Sequence, residues 1–218
     1  MQASLLDELL PGTTARLGPL AGRIERTWLA DGAWVDVRPG WVSGSDQLFD
    51  ALMDSVAWRA EERPMYDRVV AVPRLLAWFG EGQAWPDALL TQARDALDAH
   101  YELAPAESFV SAGLCLYRDG RDSVAWHGDR IGRSRHEDVM VAILSIGEPR
   151  ALHLRPRARG DGRDGGRGGA ATVRHLLGHG DLLVMGGSCQ RTWDHAVPKT
   201  ARQVGPRISI QFRPQGVA

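Results

Sequence analysis

Cysteine is scarce. The 218 residues hold two, Cys115 and Cys189, too few for a disulfide framework and, with no C-x-x-C pair, unsuited to a zinc knuckle. Both read as small core residues. Long apolar runs are also missing: none approaches the roughly 20 residues that span a bilayer, and the opening MQASLLDELLPG lacks the basic-then-apolar order of a secretory signal. The expectation is a cytoplasmic chain with no membrane contact. Nor does one sign of charge dominate, since 26 Lys and Arg face 27 Asp and Glu. No global field therefore draws phosphate backbones, and any nucleic-acid contact has to come from local patches. What is present in quantity is apolar surface, 44% of residues, which suits one globular domain over 1–218 with a substantial core.

Residues 1–20 have little periodicity and several helix breakers, the pattern of an N-terminal arm. Residues 21–105 are expected to hold a hairpin and two helices. Ile24–Val37 alternates around the turn dipeptide Asp31-Gly32. Ser45 offers an N-cap ahead of Leu48, Phe49, Leu52, Met53 and Val56 at helical spacing, and a second helix follows Pro86 with Leu89, Leu90, Ala93 and Leu97 on one face. From Phe109 the texture changes to short apolar or alternating runs. Eight strands are expected, near Phe109–Tyr117, Val124–His127, Val139–Ile146, Leu152–Arg155, Thr172–Leu177, Asp181–Met185, Trp193–Val197 and Arg207–Phe212. Eight short strands with no helix between them predict an α+β, mainly β fold: a double-stranded β-helix, or jelly roll of the cupin kind, over 106–218, with the two helices on its outer face. The Gly- and Arg-rich stretch 157–169 interrupts it as a flexible loop, readable as solvated or as a finger contacting nucleic acid.

Trp126-His127-Gly128-Asp129 ends an apolar run, and in an extended segment His127 and Asp129 point to one side because side chains alternate. An isolated H-x-D is weak, and becomes informative with a third ligand that completes the two-histidine, one-carboxylate arrangement of non-haem iron sites. His100 ends a helix, His136 sits in a charged turn, and His153 lies beside Arg155 and the loop. His175 and His179 have i, i+4 spacing, but Gly178 and Gly180 argue against a helix there. His195, just before the last strand, remains.

In that last strand, Arg207-Ile208-Ser209-Ile210-Gln211-Phe212-Arg213, apolar residues take one face and Arg207, Ser209, Gln211 and Arg213 the other. The polar face is either wet, or it lines the barrel interior, where two guanidinium forks and the Ser209 hydroxyl would hold a dicarboxylate.

H-x-D, a late His and a terminal R-x-S-x-x-F-R strand together resemble the AlkB family of nucleic-acid dealkylating dioxygenases. The resemblance runs from about Val72 to Arg213 and includes Val72-Pro73-Arg74 with Gly80, Tyr117 followed by a Gly-containing turn, and Gly180–Met185 before His195. It implies that His127, Asp129 and His195 bind Fe(II), that 2-oxoglutarate and O2 are co-substrates, that Tyr117 and Arg207 hold the far carboxylate of 2-oxoglutarate, and that Arg213 lies close to it. The implied partner is alkylated DNA or RNA, and no protein partner is implied.

The chain also departs from the family pattern. Cys115 and Ser209 stand where the family commonly has Asn, and Ile131 stands where several members carry an acidic residue against the damaged base. The stretch between Gly80 and Pro86 is short for an aromatic lid. Trp78, Phe79 and Trp85 are candidates for a stacking platform or for core. Arg130, Arg133 and Arg135 read as a phosphate-contacting rim or as a solvated turn. Two other functions stay open: a protein or small-molecule hydroxylase using the same oxidant, and a non-catalytic jelly-roll binding module.

Overall fold

The computed structural model describes residues 14–65, 68–129, 132–157 and 171–217. Among these, the chain runs through β1 (Arg16–Leu17), β2 (Glu25–Trp28), β3 (Ala33–Arg38), β4 (Val42–Ser43), α1 (Ser45–Ser55), β5 (Arg59–Met65), β6 (Arg68–Phe79), α2 (Ala88–His100), β7 (Phe109–Tyr117) and β8 (Val124–His127). It continues through β9 (Val141–Gly147), β10 (Arg150–Pro156), β11 (Val173–Leu177), β12 (Asp181–Gly187), the short α3 (Cys189–Thr192), β13 (Trp193–Val197) and β14 (Arg207–Pro214). The strands from β7 onward match the eight expected from the sequence to within a few residues at their ends.

They build two facing antiparallel sheets, the jelly-roll arrangement. The larger runs β2-β3-β12-β9-β14-β7-β6-β5 and the smaller β11-β10-β13-β8. Alternation along β14 decides what each face of the large sheet meets. Ile208, Ile210 and Phe212 join Leu114, Leu116, Leu144 and Val184 in one cluster with Leu48 and Leu52 of α1 and Leu90 and Leu97 of α2. The helices thus cover the outer face. On the inner face Val141, Ile143, Leu183 and Met185 meet Leu152, Leu154, Leu177 and Trp193 of the small sheet. Each fully buried Leu or Ile contributes about 1.5–3 kcal/mol relative to exposure, so these two layers hold the strands in register.

The hairpin expected at Asp31-Gly32 is β2 and β3. The connection runs through a 3-10 turn, Ala30–Gly32, with Asp31 at φ 61° and Gly32 at φ 79°, and Leu29 N–H donating to the Ala33 carbonyl closes it. Two expectations need correction, the cap of α1 and the strand content before β7. Ser45 is not the cap of α1: left-handed Gly44 precedes the helix, and Ser45 Oγ donates instead to the Val42 carbonyl at 2.7 Å. The second helix is capped by Asp87, which accepts from the Leu89 amide at 2.7 Å. Finally, the region before β7 holds more strand than a hairpin and two helices, because β5 and β6 form a second hairpin that extends the large sheet past β7. Arg59–Met65 is too polar to show alternation, and Pro73 masks β6 as a strand. The pairing register shifts between Ala60↔Leu75 and Glu62↔Ala71, so Pro73 sits in the bulge, where its missing N–H costs no ladder bond.

Candidate metal and co-substrate site

His127 ends β8 and pairs with His195 of β13 across the small sheet, which brings their rings to 4.3 Å between centroids. Asp129 follows two residues beyond the strand end. The ligating atoms of His127, Asp129 and His195 all lie within 4.8 Å of one another, and among the described residues no other cluster of this kind occurs. His127 Nδ1 lies 2.9 Å from the Ala125 carbonyl; a carbonyl only accepts, so Nδ1 carries the hydrogen and Nε2 presents its lone pair. Arg213 donates to Asp129 Oδ2 from Nε at 3.2 Å, with Nη2 at 3.1 Å. Oδ1, 3.7 Å from His127 Nε2, is left toward the histidines. Asp129 therefore offers one oxygen, and three such ligands on one side leave open positions for further ligands.

The protonation states suit a cation. Burial alone would raise the Asp129 carboxyl, but Arg213, helped by the two imidazoles, outweighs it and holds the group below the usual carboxylate range. Burial, with His127 adding to it, pushes His195 down to about 3, so its ring is neutral near pH 7.

The polar face of β14 lines the same cavity. Arg207, Ser209, Gln211 and Arg213 share it with Tyr117, Cys115, His127, Asp129, His195 and Arg74, around a space of about 60 Å³. Of the two readings of that face, the interior one holds. Arg207 is 1% exposed; its Nε donates to Ser145 Oγ at 2.9 Å, while Nη1 is buried with no hydrogen-bond partner. An unpaired buried guanidinium N–H is costly, and a carboxylate in the cavity would satisfy it. Tyr117 lies opposite Arg207 in the ladder, and burial, followed by the neighbouring Cys115, raises its hydroxyl to about 12, which keeps it a donor. The donor set fits a dicarboxylate at the Arg207 end and a metal at the Asp129 end.

A wider groove of about 610 Å³ adjoins this cavity and shares Arg74, Val124 and His127 with it. Its walls are the bulge Val72–Arg74 on one side and Trp126, His153, Ala196, Pro198 and Lys199 on the other. Arg155 lies 4.3 Å from the centroid of the Trp126 ring.

Other residues singled out in the sequence fall elsewhere. Trp78 stands on the site side of β6, half exposed, with Arg213 5.8 Å from its ring centroid. Gly113 makes that approach possible, since a Cβ there would lie 2.8 Å from Arg213 Nη1 and 3.3 Å from the Trp78 ring. Phe79 points the other way and packs with Trp85 against the helix-side core. Its place as a stacking residue is corrected: one step along a strand reverses the face. Arg133 is also not free for phosphate, because it is clamped on Glu107 at 2.6 and 2.8 Å and on the Ala106 carbonyl at 3.1 Å. Arg130 and Ile131 lie outside the described residues, as does the 157–169 loop beyond Arg157. His179 accepts from the Gly147 amide at 2.7 Å and meets Asp46 at 3.2 Å, away from the metal cluster.

Sequence reasoning missed Ser145, Arg74 and the groove residues Trp126, His153 and Lys199. Ser145 had a signal, being one hydroxyl inside the apolar run Val141–Ile146. Arg74 had none beyond its place in Val72-Pro73-Arg74, since the bulge that turns it inward depends on partner-strand register.

A family model described as the 2OG-Fe(II) oxygenase superfamily matches residues 43–213, from the end of β4 through Arg213. The chain belongs to the 2OG-Fe(II) oxygenase superfamily. The cofactors of this superfamily, Fe(II) with 2-oxoglutarate and O2, agree with the donors described above, and the relatives that the chain is similar to are AlkB-like. The bovine alpha-ketoglutarate-dependent dioxygenase alkB homolog 3 is 32% identical over 192 residues, covering 80% of this chain and 64% of that protein. The human protein of the same name is 30% identical over the same length. The Arabidopsis thaliana DNA oxidative demethylase ALKBH2 is 32% identical over 145 residues, 60% of this chain and 45% of its own. The chain thus spans less than two thirds of the length of these relatives. The solved structure of OsALKBH1 superposes with a TM-score of 0.56 at 14% identity, covering 88% of this chain and all of that one, a likeness of fold. Among the described residues no helix is long and apolar enough to cross a membrane.

Proposed function

We propose that this chain is an Fe(II)- and 2-oxoglutarate-dependent dioxygenase that oxidatively removes N-alkyl groups from bases of DNA or RNA in the cytoplasm. One observation carries the reading: the His127, Asp129, His195 cluster and the Arg207 guanidinium, whose Nη1 has no hydrogen-bond partner, line one cavity, and that cavity adjoins a groove walled by Trp126, Arg74 and Lys199. The iron with its co-substrates supplies the hydroxylating oxidant. The atoms would balance with one molecule of O2: one oxygen atom would enter 2-oxoglutarate as it loses CO2 and becomes succinate, and the other would enter the N-alkyl C–H bond. The resulting hemiaminal breaks its C–N bond, releasing an aldehyde and the restored base.

The chain's own residues supply binding and orientation. Arg207 and Tyr117 form the carboxylate end, Ser145 holds Arg207 in place through its Nε, and Arg213 holds Asp129 to a single ligating oxygen. The groove supports a nucleic-acid substrate because it combines an aromatic surface with cations in a chain of near-zero net charge. The names of the relatives, two of them dioxygenases and one a DNA oxidative demethylase, support the same reading.

The test is an anaerobic titration with Fe(II) and 2-oxoglutarate, followed by aerobic incubation with single- and double-stranded oligonucleotides carrying 1-methyladenine, 3-methylcytosine or an etheno adduct. Restored base, aldehyde and succinate in equal amounts are expected. Succinate formation without repair of any lesion would instead favour hydroxylation of a protein or small molecule.

A further inference from the structure

Gln211 stands between Ser209 and Arg213 on the inner row of β14, opposite Gly113 on β7 and Ile143 on β9. Its Nε2 donates to the Ser209 carbonyl at 3.0 Å and to the Ser209 hydroxyl oxygen at 2.7 Å, while Oε1 accepts the Cys115 thiol at 3.6 Å. A carbonyl oxygen can only accept, so the nitrogen of the amide must face Ser209 and the oxygen must face Cys115. The orientation of the side chain is fixed by chemistry. Because Ser209 Oγ receives a hydrogen from Gln211, its own hydrogen has to be aimed elsewhere. Among the described residues nothing accepts it, and Ser209 is 3% exposed and lines the cavity that also holds Arg207, Tyr117 and His195.

We propose that Gln211 is a positioning residue for the co-substrate: by occupying the acceptor side of Ser209 it turns the Ser209 hydroxyl into a committed donor toward the carboxylate of 2-oxoglutarate. Cys115 and Ser209 are direct partners across the β7–β14 ladder, and neither carries an amide. Gln211 supplies the amide for both. Its Oε1 takes up the thiol hydrogen, and its Nε2 directs the hydroxyl, so the inner row offers the ligand a run of donors from Tyr117 and Arg207 to Ser209. This rests on the Fe(II) and 2-oxoglutarate chemistry of the superfamily and is independent of which substrate fills the groove.

The experiment is calorimetric binding of 2-oxoglutarate to the Mn(II)-loaded full chain without oxygen, alongside Mn(II) binding alone, for Ser209→Ala, Gln211→Leu and the double variant. Removing one hydrogen bond to a charged group is expected to raise the Kd for 2-oxoglutarate by about tenfold in Ser209→Ala. Gln211→Leu, which leaves the hydroxyl free to rotate, raises it about three- to tenfold, and the double variant is no weaker than Ser209→Ala, since one residue acts through the other. Mn(II) affinity changes by less than twofold, and in turnover the KM for 2-oxoglutarate rises while kcat holds. Gln211→Met, of similar length and tolerant of burial, repeats the measurement if Gln211→Leu melts at a lower temperature. The proposal is overturned if the Gln211 variants bind 2-oxoglutarate as the parent does, if the two single losses multiply in the double variant, or if metal affinity falls in parallel.

Discussion

The two sheets contribute unlike things to the site. The large sheet supplies Arg207, Ser209, Gln211, Arg213, Tyr117 and Ser145 from three adjacent strands, most of them buried and each of the side chains on β14 tied to a fixed neighbour. The small sheet supplies the two histidines and, along an open groove, Trp126 and His153, with Lys199 just beyond the end of β13. A rigid ladder suits a co-substrate that is the same in every turnover, since the donors need no reorganisation. A groove edge suits the choice of substrate, where contacts can change without loss of the fold.

The largest break in this division should come where both sheets meet, at the metal. Replacing His127, Asp129 or His195 with Ala is expected to abolish succinate formation while the far-UV spectrum stays native, because three ligands leave no spare. Near-normal turnover in any one variant removes that residue from the site. Next comes the buried end of the large sheet. Arg207→Ala should raise the 2-oxoglutarate Kd by about 100-fold or more, on the order of 3 kcal/mol for an uncompensated buried carboxylate, with metal affinity little changed. Equal loss of both would merge the two ends of the cavity into one unit.

A groove change should behave in the opposite way. Trp126→Ala is expected to weaken single-stranded oligonucleotide binding about five- to tenfold, the value of one stacked base, and to move 2-oxoglutarate affinity far less. A large effect on 2-oxoglutarate would show that the sheets are not separable. Smaller still is a difference among lesions. Among the described residues the groove lining has Arg74 and Lys199 and no Asp or Glu, so a cationic base finds no counter-charge there. Repair rates for 1-methyladenine and for a neutral etheno adduct should differ by less than about tenfold, measured side by side on matched oligonucleotides. Smallest is Arg133→Ala, which is expected to cost about 1 kcal/mol of stability through Glu107 and to leave oligonucleotide affinity unchanged in a filter-binding assay.

Legibility in the sequence followed the same division. The two faces of β14 could be separated because alternation divides Ile208, Ile210 and Phe212 from Arg207, Ser209, Gln211 and Arg213, while the choice between a wet polar face and a cavity lining needed the neighbouring strands. The histidines could be narrowed because Gly178 and Gly180 broke the competing pair. The groove was not legible. Trp126 looked like one more apolar residue before His127, and the wall opposite depends on a bulge at Pro73 that only the pairing of β5 with β6 creates. Phe79 and Arg133 were misplaced for related reasons: a single step of strand parity sent one to the core, and a distant carboxylate, Glu107, claimed the other.

One property of β14 reaches beyond binding. Its seven-residue run puts the core and the chemistry on opposite sides of a single backbone, paired to β7 through Arg207↔Tyr117 and to β9 through Arg207↔Gly147. A slip of one residue would push both guanidinium groups into the helix layer and Ile208, Ile210 and Phe212 into the cavity. A misaligned chain would therefore lose its interior and its ligands in the same event. Partly folded, partly active material has no place in this design, and recovery of the 2-oxoglutarate site during refolding should coincide with recovery of the core.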